Sequence, residues 1–188
     1  IDQTENLNQE KLKALYEKAL SFENVIGLSI GTRTDCVTDE ILDYLVDLSK
    51  DKEIWIEFGI QSFYDETLVN INRGDTADNM RYWIKRSKEK GLNVCGHLIY
   101  GLPKETQEMM LETFRQTVEL KVDSIKFHPL YVVKNTLLTN EFKKGRFTPI
   151  SEELYIDTVV KSIKNLPENI SIQRITAGIN DSTLLSPD

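Results

Sequence analysis

Apolar positions recur at two periods along the chain, and stretches of the two kinds alternate. Over residues 8–21, Leu12, Leu15, Tyr16, Ala19 and Leu20 form one stripe at helical spacing. The same spacing predicts a helix over 38–50, with Thr38 as N-cap and Ile41, Leu42, Leu45 and Leu48 on one face. Further helices are predicted over 76–90, with Gly91 at C′, over 105–120, with Leu111, Phe114 and Val118 inward, and over 151–165. Short helices are predicted at 65–71 and 136–143. Between them, residues 25–31, 54–61, 93–100, 124–132 and 170–177 read as strands, the fourth interrupted by Pro129. The tail to Asp188 predicts no regular element. Strands that alternate with helices imply parallel strands joined by right-handed crossovers, hence an α/β fold with a parallel sheet. No internal repeat or linker divides the chain, so residues 1–188 read as one domain. A complete eightfold barrel takes about 250 residues, which leaves an open sheet or one curved towards a barrel.

The strands depart from the usual parallel pattern. Strands covered on both faces read as continuous hydrophobic runs. Here every second position is polar or small: Ser29, Gly31 and Arg33; Glu57, Gly59 and Gln61; Cys95, His97, Ile99 and Gly101; Ser124, Lys126 and His128; Arg174, Thr176 and Gly178. Side chains alternate across a strand, so one sheet face is apolar and helix-covered and the other is polar and roomy. A ligand cavity accounts for the polar face better than a sheet merely left uncovered, because unpaired charge is costly in a dry core.

Composition narrows the picture. The 188 residues are 40% hydrophobic and 28% charged, with nine Gly and five Pro, which excludes disordered and collagen-like chains. No apolar run approaches the ~20 residues that span a bilayer, and the acidic, polar start is no signal peptide. A soluble, cytoplasmic protein is expected. The net charge of −7 argues against generic nucleic-acid binding. Arg81, Lys85, Arg86, Lys88 and Lys90 read as a solvated helix face. Two distant cysteines, Cys36 and Cys95, make no disulfide framework and no Cys-only metal or iron–sulfur site. The first residue is Ile1 rather than Met, so the chain reads as a piece of a longer product.

Common catalytic motifs are absent: no GxGxxG, Walker A, GxSxG or HExxH occurs. Cys95, His97 and His128 share a polar face and suggest a metal, though without an obvious further ligand. Glu57 with Lys126 reads as an acid–base pair or a buried ion pair. A metal-dependent α/β-barrel hydrolase or lyase using His97, His128 and carboxylates is one functional reading, and a non-catalytic SAM- or nucleotide-binding module another.

Several segments point to a family. Gly59-Ile60-Gln61-Ser62, Asp65-Glu66-Thr67-Leu68, Ile71-Asn72-Arg73-Gly74 and His97-Leu98-Ile99-Tyr100-Gly101-Leu102-Pro103, followed by Glu105-Thr106, resemble radical SAM proteins related to oxygen-independent coproporphyrinogen III oxidase. The segments 28–36 and 126–134 resemble the YhcC-type branch of that superfamily. The resemblance spans about residues 10–176. It implies an incomplete TIM-like partial (β/α)6 barrel, from the third strand onward, whose CxxxCxxC loop for a 4Fe–4S cluster would lie upstream. It implies S-adenosylmethionine as cofactor and a 5′-deoxyadenosyl radical in the full-length protein, with this chain alone inactive. It places Gln61 and Arg73 on S-adenosylmethionine and the Ile99–Gly101 segment along its adenine, where Gly101 lets a planar ring approach. His97 stands where relatives have an Asp that meets the ribose, a departure from the pattern. Arg33, Glu57, Lys126, His128 and Arg174 are the substrate-pocket candidates. Relatives include porphyrinogen and tRNA-modifying enzymes, so the substrate stays unnamed. The first strand, 25–31, would lie at an open sheet edge, where a second copy or a covering segment pairs.

Overall fold

A computed structural model describes residues 9–176, 178 and 182–186. In chain order the elements are α1 (Gln9–Leu20), β1 (Gly27–Thr32), a 3-10 turn (Thr34–Cys36), α2 (Asp39–Leu48), β2 (Glu53–Gln61), α3 (Asp65–Asn70), α4 (Ala77–Glu89) and β3 (Asn93–Tyr100). There follow α5 (Gln107–Glu119), β4 (Ser124–Pro129), β5 (Val132–Val133), α6 (Leu137–Lys143), α7 (Glu152–Lys164), β6 (Ser171–Arg174) and β7 (Leu184–Ser186). Five strands form one parallel sheet in the order β1-β2-β3-β4-β6. β1 is therefore an edge strand, as the sequence predicts.

Local chemistry sets the helix starts. Thr38, Thr76, Thr106, Thr136 and Ser151 each accept a hydrogen bond from the amide three residues on, which satisfies one orphan donor of the first turn. Gly91, at φ +84°, ends α4 in the left-handed conformation that glycine adopts without strain.

The core lies on one side of the sheet. Ile54, Ile56, Phe58 and Ile60 of β2, Val94, Leu98 and Tyr100 of β3, and Ile125 and Phe127 of β4 are buried there. They meet Leu42 and Leu45 of α2, Met80 and Ile84 of α4, Met110 and Phe114 of α5 and Val159 of α7 in one cluster. Burying each such side chain is worth roughly 1.5–3 kcal/mol. The alternate positions of β2, β3 and β4 are mostly half-exposed.

Four local expectations change. The run 124–132 is two strands: β4 stops at Pro129, and β5 pairs antiparallel with β7 in a separate ribbon. The tail thus does hold a strand. Three residues cannot display a period, so only the long-range partner reveals it. Leu15 is 54% exposed, because α1 packs at the sheet edge against β1 and buries only part of its stripe. The last strand ends at Arg174, and the predicted Ala177 lies outside the described residues. The basic residues of α4 and Lys90 are each matched to an acid: Arg81 to Asp78, Lys85 to Glu89, Arg86 to Asp39, Lys88 to Asp123, and Lys90 to Asp39 and Asp43.

Candidate active site

Strand register assembles the polar face in rungs. Gly31, Glu57, Cys95, Ser124 and Ser171 stand side by side across five strands. One step further on, Gly59, His97, Lys126 and Arg174 form a second rung. Ile99 is level with His128 in a third. Members of each of the five expected polar sets thus share a face, whereas Arg33, Gly101, Thr176 and Gly178 lie beyond their strands and Gln61 follows a register shift.

Glu57 centres one cluster. Its Oε2 accepts from Lys126 Nζ at 2.5 Å and lies 2.8 Å from His97 Nε2. Burial alone would raise the Glu57 carboxyl, but the hydrogen bond and charge of Lys126, aided by His97, carry it below the usual carboxylate range. Burial lowers His97, with Lys126 and Arg174 acting in the same direction against the pull of Glu57. Cys95 beside them is buried, which pushes its thiol up to about 11.

A second cluster caps the end of β2. Gln61 sits at φ +67°, strained for a residue with a side chain. Arg73, from the loop before α4, donates from Nη2 to the Gly59 carbonyl at 2.6 Å. Both side chains lie over Gly59, where an added Cβ would stand 2.7 Å from Gln61 Nε2 and 3.4 Å from Arg73 Nη2. Gln61 Oε1 and Arg73 Nε are buried without any hydrogen-bond partner. Burial lowers the Arg73 guanidinium, and neighbouring Arg33 adds to the effect. Few buried polar groups stay unpaired in folded proteins, so two at one spot mark a place for a polar ligand.

Beyond the strand ends lies a cavity of about 840 Å³. Ile99 and Gly101 reach it, with Asn72, Leu130, Phe147 and Ile150 among its walls. Its size suits a small-molecule ligand.

Two candidates have other partners. Arg33 is bound by Asp35, with Nε 2.8 Å from Oδ1. His128 places Nδ1 2.5 Å from the Pro129 carbonyl and its ring against Tyr131. Gly101 is required by its backbone and its packing. Its φ is +89°, and a Cβ would stand 2.7 Å from Ile150 side-chain atoms. Among the described residues no group of three His, Cys, Asp or Glu is placed to hold a metal, so Cys95, His97 and His128 do not converge.

The structure adds residues to which the sequence assigned no role. Ser62 Oγ donates to Glu105 at 2.5 Å, tying the end of β2 to the loop after β3. Burial raises the Glu105 carboxyl against the bonds of Ser62 and Thr67. Thr34 donates to Asp75, whose other oxygen accepts from Asn79 at 2.8 Å, and this braces the turn that carries Arg73. Ser62 and Glu105 both stand in the family-like segments, which was the available signal.

A parallel α/β sheet with its polar clusters at the strand ends is the architecture of radical SAM enzymes, and the chain belongs to the radical SAM superfamily: that family's model matches residues 2–117, and the Radical_SAM C-terminal domain matches residues 122–188. β4 and β6, from the second match, continue the sheet of the first. The chain is 40% identical over 178 residues to Protein YhcC of Escherichia coli K12, covering 94% of this chain and 57% of that protein. It therefore spans little more than half the length of that relative. Among solved structures it resembles Methanocaldococcus infernus Elp3, with TM-score 0.76, 26% identity, and coverage of 85% of this chain and 38% of that one. Escherichia coli coproporphyrinogen III oxidase, a radical SAM enzyme, shares the fold at TM-score 0.62 and 22% identity, over 85% of this chain and 37% of that one.

Proposed function

We propose that this chain is the S-adenosylmethionine-binding and substrate-facing part of a radical SAM oxidoreductase. The unpaired Gln61 Oε1 and Arg73 Nε over Gly59 carry the reading. These residues fit the cofactor. Arg73 offers a cation and a donor to a carboxylate, and the Gln61 amide both donates and accepts. Ile99 and Gly101 border the adjoining cavity, where an apolar wall suits an aromatic base. Given one electron from a reduced 4Fe–4S cluster, bound S-adenosylmethionine would supply the 5′-deoxyadenosyl radical for removal of a substrate hydrogen. The chain's own part is to hold the carboxylate, orient the cofactor against the sheet and keep water from it.

The described residues do not fit a 4Fe–4S cluster. No suitable ligand group is present among them, and Cys95 is a buried, protonated thiol. We assign the cluster ligands to residues outside the described set and expect no S-adenosylmethionine cleavage by these 188 residues alone. Lys126 and Arg174 are the substrate contacts in this reading, while Arg33 and His128 act through Asp35 and Pro129. The substrate, small or macromolecular, is unassigned. Two distant cysteines, Cys36 and Cys95, suit the reducing cytoplasm, and no described helix is long and apolar enough to cross a membrane. The outer edge of β1 is the surface for a second copy.

Calorimetric titration of S-adenosylmethionine into the chain tests the reading. Binding that is lost in Gln61→Ala and Arg73→Ala, at unchanged melting temperature, is the expected result. Absent binding, or equal binding by all three proteins, overturns it. Deoxyadenosine formed by the chain under dithionite overturns the assignment of the cluster.

A further inference from the structure

Glu57, His97 and Lys126 form a network to which the cofactor reading assigns no proton chemistry. The order of protons in it follows from chemistry. Glu57 is ionised, held by the Lys126 ammonium at 2.5 Å, and an ionised carboxylate only accepts. The hydrogen bond to His97 at 2.8 Å therefore has Nε2–H as donor. The ring is neutral at pH 7, because burial outweighs the carboxylate and because Lys126 from β4 and Arg174 from β6 face it. In a neutral imidazole with Nε2 protonated, Nδ1 is a bare lone pair. Nδ1 has no hydrogen-bond partner among the described residues, and the His97 side chain is 30% exposed on the open face. Its rung neighbours are Gly59, under Gln61 and Arg73, and Lys126.

We infer that Glu57 and His97 form a carboxylate–imidazole dyad whose free Nδ1 accepts a hydrogen bond, and can accept the proton, from a hydroxyl group of a bound substrate. The inference rests on the reading of this face as the reaction cavity. The hydroxyl O–H bond breaks towards Nδ1, its electron pair stays on oxygen, and the proton makes an imidazolium that Glu57 neutralises. Lys126, beside His97 in the rung, and Arg174, one strand further on, favour the resulting oxyanion. Glu57 is the positioning residue: it sets the tautomer and the ring orientation. Lys126 keeps Glu57 ionised and limits how basic His97 becomes.

The sequence holds two histidines, which makes the test direct. Nitrogen-15 NMR of the ligand-free chain distinguishes the two ring tautomers. His97 is expected as the Nε2–H form and His128, whose Nδ1 faces the Pro129 carbonyl, as the Nδ1–H form. The His97 titration midpoint is expected to fall further in Glu57→Gln, which removes the anion, and to rise in Lys126→Met, which removes the opposing cation. These opposite shifts check that both charges face His97, while the tautomer and the accessibility of Nδ1 separate the dyad from a structural ion pair. Diethyl pyrocarbonate, which needs an accessible unprotonated ring nitrogen, is expected to modify His97 in a His128→Gln background, at a rate tracking its neutral fraction. An Nδ1–H tautomer at His97, a midpoint that moves the same way in both variants, or a His97 that reacts only after unfolding overturns the inference. None of these readouts requires S-adenosylmethionine, so the dyad can fail while the cofactor reading stands, and the reverse.

Discussion

The two polar clusters of the open face solve burial in opposite ways. Around Glu57 each charge has a partner: Lys126 and His97 both reach one carboxylate oxygen. Around Gln61 and Arg73 partners run out, and two polar atoms are buried with none. Satisfied polar networks hold side chains in place. Unsatisfied ones cost stability and are kept where a ligand supplies the missing bonds. The charges of the first cluster are thus held without ligand, with only the Ser124 hydroxyl of the same rung left unpartnered, and the second cluster is built to be completed by a ligand.

Breaking this contrast begins with Lys126. Lys126→Met strands the Glu57 charge, and urea unfolding is expected to show a loss of about 3 kcal/mol, since removing one partner of a buried pair leaves the other uncompensated. Adding Glu57→Gln is expected to restore most of that. If the single variant loses nothing, the pair is solvated and the contrast disappears. Arg73→Met should behave in the opposite manner. It gives up one carbonyl hydrogen bond but relieves an unpaired buried donor, so stability is expected to hold or rise. Affinity for S-adenosylmethionine is expected to drop about 10–100-fold, as for a lost charged hydrogen bond. A destabilised Arg73→Met would show that the arginine belongs to the scaffold.

Glycine substitutions sharpen the comparison. Gly59→Ala meets only the ends of the Gln61 and Arg73 side chains, so unfolding is expected to change by less than about 1 kcal/mol while cofactor affinity falls several-fold. Gly101→Ala imposes φ +89° on alanine and presses on Ile150, and it is expected to cost more stability than Gly59→Ala, by about 1–3 kcal/mol. The reverse order in thermal melts would contradict the geometry.

The smallest effect is with pH. His97 is lowered in the folded state, so the unfolded chain binds its proton first, and stability falls as pH drops from the ordinary histidine range towards the folded value. Glu57 is also lowered, so its contribution is present above the ordinary carboxylate range and is lost as pH falls through its folded value. Two acid steps are expected in the stability profile, and His97→Gln should remove only the upper one.

Much of this was legible without coordinates. Period-two alternation in 54–61, 93–100 and 124–128 foretold one apolar and one polar face, and all three segments obey it. Gln61 and Arg73 stood out through the family-like segments. The steric need for Gly101 is invisible in the sequence, because Ile150, which fills the space, lies 49 positions away. The Ser62–Glu105 and Thr34–Asp75 bonds escaped because each joins residues more than forty positions apart.

What the sequence determined by itself was local: helix starts at threonines and a serine, strand faces, the α/β class and the superfamily. The helix starts, strand faces and fold class follow from backbone hydrogen bonding and side-chain period, which act over a few residues, whereas the superfamily was legible through the resemblance of particular segments. Tertiary structure alone decided which polar side chains find partners. Glu57 meets Lys126 across 69 positions, while Gln61 and Arg73 converge over Gly59 and are left wanting. Charge pairing depends on distance and burial, and neither exists until the strands are in register.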